Sequence, residues 1–295
     1  MARIIILLVS GVFAVLTARA GEVSGQFKAT SKGTIKPTFV AAFPVRAPGN
    51  PIEKSIVVIL SEGAMDPSAA LESLDPHTAL INQDTMRKKN YISLWITPGG
   101  HVGMNATFSD GMVQFLDSTK EKKGEGIFSA QSLEAKLNEN SGKRIAGTVR
   151  TTKPVKTSIG SYELDVQFDT EVTRLAGATG LRSGGGDPGK AFMKLLPAIQ
   201  KKNWKGVKSG VTANNLESMD PEATDSQNYD NVIGIFARLL PQGKARILAG
   251  EQRGDVADLT VRGSMGEGVE AYYMVRMIKE AGAWKFERST IAGFV

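Results

Sequence analysis

The chain has 295 residues, 41% of them hydrophobic, a formal net charge of +6 and no cysteine. That length and apolar content allow about two domains, each burying its own core, and exclude a disulfide-stapled fold. The charge excess is too small for a nucleic-acid-binding surface, so no nucleic-acid partner is expected.

Arg3 precedes an apolar run from Ile4 to Leu16, and Ala18-Arg19-Ala20 follows it. Small residues at the two positions that signal peptidase reads predict cleavage after Ala20. Residues 1–20 are therefore expected to be a signal peptide, with Gly21 the mature N-terminus. The run is shorter than the ~20 apolar residues that cross a bilayer, and no later stretch reaches that length, so no transmembrane segment is expected in the mature chain. No cysteine follows the run for lipid attachment. Losing Arg3 and Arg19 lowers the net charge to +4. The expected destination is periplasmic or secreted.

Val23, Gly25, Phe27 and Ala29 alternate with Glu22, Ser24, Gln26 and Lys28, the pattern of a half-buried strand. Ile56 to Leu60 and Ile92, Leu94, Ile96 add apolar strands, with one short helix between them at Pro67–Leu74. Val102, Met104, Ala106 and Phe108 alternate up to Asp110-Gly111, and Val113 and Phe115 follow, which predicts a hairpin. Tyr162, Leu164, Val166 and Phe168 alternate with Glu163, Asp165, Gln167 and Asp169. Residues 21–175 are expected to form an all-β sandwich. From 176 to 186 the period stops and Gly177, Gly180, Gly184, Gly185 and Gly186 dominate, which predicts a flexible linker, free domain motion and a protease-sensitive Arg182.

From Asp187 the period changes to 3.6. Asp187 is expected to cap a helix, Pro188 to take its first position, and Phe192, Leu195, Leu196 and Ile199 to form the buried stripe, with a kink or break at Pro197. Trp204, Val207 and Val211 predict a second short turn. Asp220-Pro221-Glu222 repeats the cap, and Tyr229, Val232, Ile233, Phe236, Leu239 and Leu240 give a second long stripe ending at Pro241. Strands are expected at 244–251, at Ala257, Leu259 and Val261, at 269–279 and at 283–291, with turns at Gly266-Glu267-Gly268 and Ala281-Gly282.

Helices followed by consecutive antiparallel strands, with Val275-x-Met277-x-Lys279, a turn and Trp284-Lys285-Phe286, resemble the nuclear-transport-factor-2-like, cystatin-related α+β cone. The resemblance covers residues 187–295 and implies helices packed on a curved antiparallel sheet. It implies a family holding isomerases and dehydratases beside many non-catalytic modules of exported bacterial proteins. Catalytic members place an Asp-His or similar pair between helices and sheet. The fold expected for the whole chain is thus multi-domain, an N-terminal sandwich plus a C-terminal α+β cone.

Gly184 to Lys190 spells G-x-x-x-x-G-K, but Ala191 replaces the magnesium-holding hydroxyl and Pro188 deletes an amide that would face phosphate, so no nucleotide cofactor is expected. His77, after Asp75-Pro76, and His101, after Pro98-Gly99-Gly100, are the only histidines, and both are expected as solvated turn residues. His101 and Met104 would face opposite sides of a strand, so no metal site is assigned. Ser264 lies at a turn between strands, without a nucleophile elbow. Asp255 and Asp258 are expected on an outward, polar face. No catalytic residue is assigned, because the C-terminal region holds no histidine to titrate near neutral pH. Trp204, Tyr229 and Tyr272 are the candidate lining of an apolar pocket in the cone. Lysines at 201, 202, 205 and 208, the cluster Arg87-Lys88-Lys89 and lysines at 120, 122 and 123 are expected to be solvated, and the Asn105-Ala106-Thr107 sequon falls within a strand. The expectation is an exported, non-catalytic binding or scaffolding protein of the cell envelope, with an envelope protein or polymer as partner. The alternative is a carrier or enzyme for a small apolar molecule held in the cone.

Overall fold

Alternating apolar and polar side chains give most strands of this chain one buried and one polar face. The structure, a computed structural model, describes residues 21–47, 50–109, 114–119, 132–219, 226–266 and 268–294. The first 20 residues, the Asp110-Gly111 turn, the lysines at 120, 122 and 123 and the Asp220-Pro221-Glu222 cap lie outside the described residues.

The first part of the chain contributes β1 (Glu22–Ala29), β2 (Gly33–Ile35), β3 (Phe39–Ala47), β4 (Asn50–Ser61), β5 (Tyr91–Ile96), β6 (Val102–Thr107), β7 (Gln114–Ser118), β8 (Leu133–Asn140), β9 (Arg144–Thr151), β10 (Val155–Thr157) and β11 (Gly160–Glu171). Strands β3 to β7 pair in sequential order, and a second antiparallel sheet runs β2-β1-β11-β9-β8, with β10 also on β11. Phe27, Val58, Leu94, Met104, Phe115, Leu164 and Val166 from the two sheets share one core. The β3–β7 sheet is covered on its other face as well. Phe43, Val57 and Ile59 meet Leu71, Leu80 and Met86 from three short helices, α1 (Ser68–Leu71), α2 (Pro76–Ile81) and α3 (Asp84–Arg87). Burial on both faces is why Ile56 to Leu60 is apolar at every position rather than at every second one.

One helix is expected at Pro67–Leu74, but the chain leaves α1 at Glu72 and starts again at Pro76. Proline disfavours helical geometry in the residue before it, and Asp75 instead turns its carboxylate to the Thr78 N–H at 3.0 Å, capping α2.

Asp117 is 3% exposed inside the first core, where a bare carboxylate would be costly. It accepts hydrogen bonds from the Tyr162 hydroxyl at 2.6 Å, from the Ser118 N–H at 2.7 Å and from the Ser132 N–H and hydroxyl. Burial, reinforced by the Asp117 contact, raises the Tyr162 hydroxyl well above the usual tyrosine range. The Tyr162 ring lies against Phe27 and Phe115 at 5.5 and 5.4 Å.

The remainder is β12 (Thr179–Leu181), α4 (Gly186–Gln200), α5 (Trp204–Gly210), α6 (Ala213–Met219), α7 (Ser226–Leu239), β13 (Ala245–Arg253), β14 (Val256–Gly266), β15 (Val269–Glu280) and β16 (Ala283–Phe294). Strands β12 to β16 pair antiparallel in sequential order. Phe192, Leu196, Val207 and Phe236 from the helices pack on Leu259, Tyr273, Val275 and Phe286 from one face of that sheet. Helix α4 continues through Pro197. Pro197 and Met193 are both exposed, so water can take the Met193 carbonyl that the proline leaves without a donor.

The segment 176–186 differs from the slack linker expected. Thr179 to Leu181 pairs with β13, and the Gly184 N–H donates to the Ile247 carbonyl at 3.2 Å. Close approach accounts for one of its glycines: a Cβ on Gly185, which caps α4 in the left-handed region, would stand 2.9 Å from Leu259, and one on Gly189, in the first turns of α4, 2.0 Å from the Gly184 oxygen. Asp187, the expected cap, lies inside the first turn, where its carboxylate favours the positive helix end and pairs with Lys190 at 2.9 Å.

Replacing Tyr162 by Phe removes one neutral donor from the buried Asp117 carboxylate. Urea unfolding of Tyr162→Phe is expected to show a loss of about 1.5–3 kcal/mol, with an unchanged far-ultraviolet circular dichroism spectrum.

Candidate functional site

The period of two on β14 and β15 sends Ala257, Leu259, Val261, Tyr273, Val275 and Met277 toward the helices, and Asp258, Thr260, Met274 and Arg276 to the other face. That face is not open to water. Thr260 is fully buried, Arg276 is 4% exposed and Met274 is 5% exposed. Asp258 and Arg276 stand directly opposite each other in the ladder and join through two hydrogen bonds of 2.6 and 2.7 Å. A third guanidinium N–H of Arg276 donates to the backbone carbonyl of Glu72, where α1 ends. The Glu72 carboxylate in turn takes Arg253 at 3.0 Å, and Lys54 of β4 pairs with Glu251 of β13. The corner between α1 and α2 therefore sits on the outer face of the last sheet. Asp258, expected to face outward, is a contact between the two parts of the chain.

Two adjoining cavities flank this corner. One, of about 330 Å³, is bordered by Leu71, Leu74 and Lys54 on one side and by Arg174, Glu251, Arg253 and Asp258 on the other. The second, of about 250 Å³, lies between His77, Thr78 and Trp95 and the β15–β16 residues Met274, Thr290 and Ile291. Val45, Leu74, Pro76 and Met274 line both.

His77 departs furthest from its expectation as a solvated turn residue. It lies in the first turn of α2, its Nε2 is 3.1 Å from the Ser93 hydroxyl oxygen, and its ring is 4.8 Å from that of Trp95. Burial lowers its pKa below the ordinary histidine value, against the opposing field of Asp75. A serine and histidine at this spacing match a nucleophile and its base, but Ser93 is fully buried on β5. The contact fixes the ring and leaves the other imidazole nitrogen as the unassigned polar group of the wall. Sequence reasoning passed over His77 because an Asp-Pro dipeptide marks a turn without saying what covers it.

Trp204 opens α5 and packs against the helix-side core, whereas Tyr272 adjoins the buried Tyr273 on the strand and so falls on the opposite face. The structure does not bring these two to one pocket, and neither lines the cavities above. Tyr229 falls in α7, where its side chain lies outside the described residues. His101 lies in the β5–β6 turn as expected, at the edge of a third cavity of about 630 Å³ with Lys136 and Arg150, and Arg150 is paired to Glu134 at 2.9 Å. Among the described residues no three His, Asp or Glu side chains gather as metal ligands, and no helix is long and apolar enough to cross a membrane. Comparison with protein-family models, with curated proteins and with solved structures returns no match.

Replacing Arg276 by Met leaves Asp258 without its counter-ion at the junction, and urea unfolding is expected to show a loss of about 3–5 kcal/mol. The double variant Asp258→Leu, Arg276→Met is expected to recover most of it, since removing both ions also removes both desolvation costs.

His77 gives a pH-dependent signature. Its folded-state pKa lies below the unfolded value, so the unfolded chain binds more protons between the two. The stability it contributes is complete above about pH 6.5 and is lost as pH falls through the folded-state value. Thermal melts of His77→Gln are expected to fall less steeply than those of the unaltered chain below about pH 6.5.

Proposed function

We propose that the chain is an exported binding protein of the cell envelope, made of an N-terminal β-sandwich and a C-terminal nuclear-transport-factor-2-like unit, whose ligand occupies the cleft between them. One observation carries this reading: the two adjoining cavities are walled by both parts of the chain, whereas the helix-side interior of the last sheet is filled by Phe192, Phe236, Tyr273 and Phe286. Ligand sites favour such junctions, mostly apolar with a few placed polar groups. A filled interior favours binding over chemistry of the kind that catalytic cone proteins run between helices and sheet.

The Arg3 to Ala20 pattern supports export. Four helices on one face of a five-stranded antiparallel meander support the cone. The cleft lies on the sheet face away from those helices, so this unit would bind on its back rather than in its mouth.

The test is to express the full chain in a bacterial host and recover the exported protein. Its intact mass is expected to correspond to a chain beginning at Gly21. After incubation with an organic extract of bacterial envelopes, native mass spectrometry is expected to show a small-molecule adduct. Filling the cleft by Met274→Trp or Thr290→Trp is expected to abolish it. An adduct that survives both substitutions would overturn the cleft as the site.

A further inference from the structure

We infer that the junction cleft takes one elongated organic anion, its acidic head at Arg174 and Arg253 and its aliphatic body running past Met274 to Trp95. This rests on the cleft being the ligand site and adds the chemical class of what enters it.

The carboxylates on the cleft wall are already engaged. Glu251 is held by Lys54, Asp258 by the Nε and Nη2 of Arg276, and Asp75 by the Thr78 amide of α2. Arg174 and Arg253 keep donors in reserve. Arg174, exposed at the end of the connection from β11, gives its Nε–H to the Gly142 carbonyl at 2.7 Å and has no carboxylate partner among the described residues. Arg253 gives one nitrogen to Glu72, and its Nη2 is buried with no hydrogen-bond partner. A guanidinium carries five N–H donors and no acceptor, so the group that completes this wall is an acceptor-only head such as a carboxylate or a phosphate monoester.

The other end of the cleft asks for the opposite chemistry. Leu74, Trp95, Met274, Ile291 and Ala292 line the second cavity, and the charge nearest His77, on Asp75, is bound to its helix cap. A second charged end would lose its hydration there without a partner. Because Val45, Leu74, Pro76 and Met274 border both cavities, one molecule can occupy them in sequence, head and tail in different surroundings.

The test uses the mature full chain and four ten-carbon probes below their micelle concentrations: decanoate, decyl phosphate, decan-1-ol and decylamine, each followed by isothermal titration calorimetry. At least one of the two anions is expected to bind one to one, about tenfold or more tighter than the alcohol, and the amine is expected to be weakest. Whichever anion binds identifies the head group. Arg174→Gln, at an exposed position, is expected to weaken the anion about tenfold and leave the alcohol unchanged. Met274→Trp and Thr290→Trp, the second introduced from an exposed strand position, are expected to remove both. Equal binding of anion and alcohol, or an Arg174→Gln variant with full anion affinity, would overturn the anionic class while leaving the cleft as the site. Binding that survives both tryptophan substitutions would overturn the cleft itself, and no binding by any probe would overturn the elongated-anion inference.

Discussion

A guanidinium held by a carboxylate and a backbone carbonyl fixes how the last sheet meets the rest of the molecule. Asp258 and Arg276 are cross-strand neighbours, so their two-pronged contact is set by the β14–β15 register, and Arg276 reaches the end of α1 with its remaining nitrogen, Nη1. A backbone carbonyl cannot move without moving its helix, so the α1–α2 corner is aligned to the sheet by geometry rather than by apolar adhesion. Removing two ions from water offsets most of their attraction, so the contact contributes orientation more than stability. The cavities exist because that corner touches the sheet at its centre and leaves space on either side.

The strands were legible because alternation is a local property. Val23 to Ala29 and Tyr162 to Phe168 show one face in sequence, and they pair across a ladder that sets Phe27 against Leu164. The first helical stripe was legible for the same reason, with Phe192, Leu195, Leu196 and Ile199 all buried; of the second, Ile233, Phe236 and Leu240 are buried, but Leu239, expected on that stripe, is exposed. Periodicity was silent about what covers a polar face. Asp258, Thr260 and Arg276 carry the residue types of a solvated surface, yet they are enclosed because the complementary polar group is a main-chain carbonyl 204 residues away, which side-chain identity does not record. The glycines of 176–186 misled in a related way: the segment pairs with β13 and Gly185 lets the start of α4 close on Leu259, and composition alone does not separate such order from slack.

The candidate site was less legible than the fold. Aromatic residues drew attention to Trp204 and Tyr272, but Trp204 packs from α5 on the helix side of the last sheet, while alternation along β15 places Tyr272 on its other face. The residues that meet at the cleft come from distant stretches of the chain, and each is unremarkable alone. A histidine after Asp-Pro, a serine within Tyr91–Ile96 and a methionine in β15 become a wall only when two parts of the chain are brought together. The buried Asp117 belongs to the same class, since its donors Tyr162 and Ser132 are 45 and 15 residues away.

The two-sided covering of β4 bears on the order in which the chain can assemble. Ile56 to Leu60 needs α1 to α3 on one side and the β1–β11 sheet on the other, and β1 finds its ladder partner in β11, so that Glu22 waits for Asp169. The helical cover is local and can form early. The opposite cover cannot close before some 140 residues of loop have been ordered, a slow step in any fold dominated by distant pairings. Until then the five-residue apolar run of β4 has one bare face, open to contact with another copy.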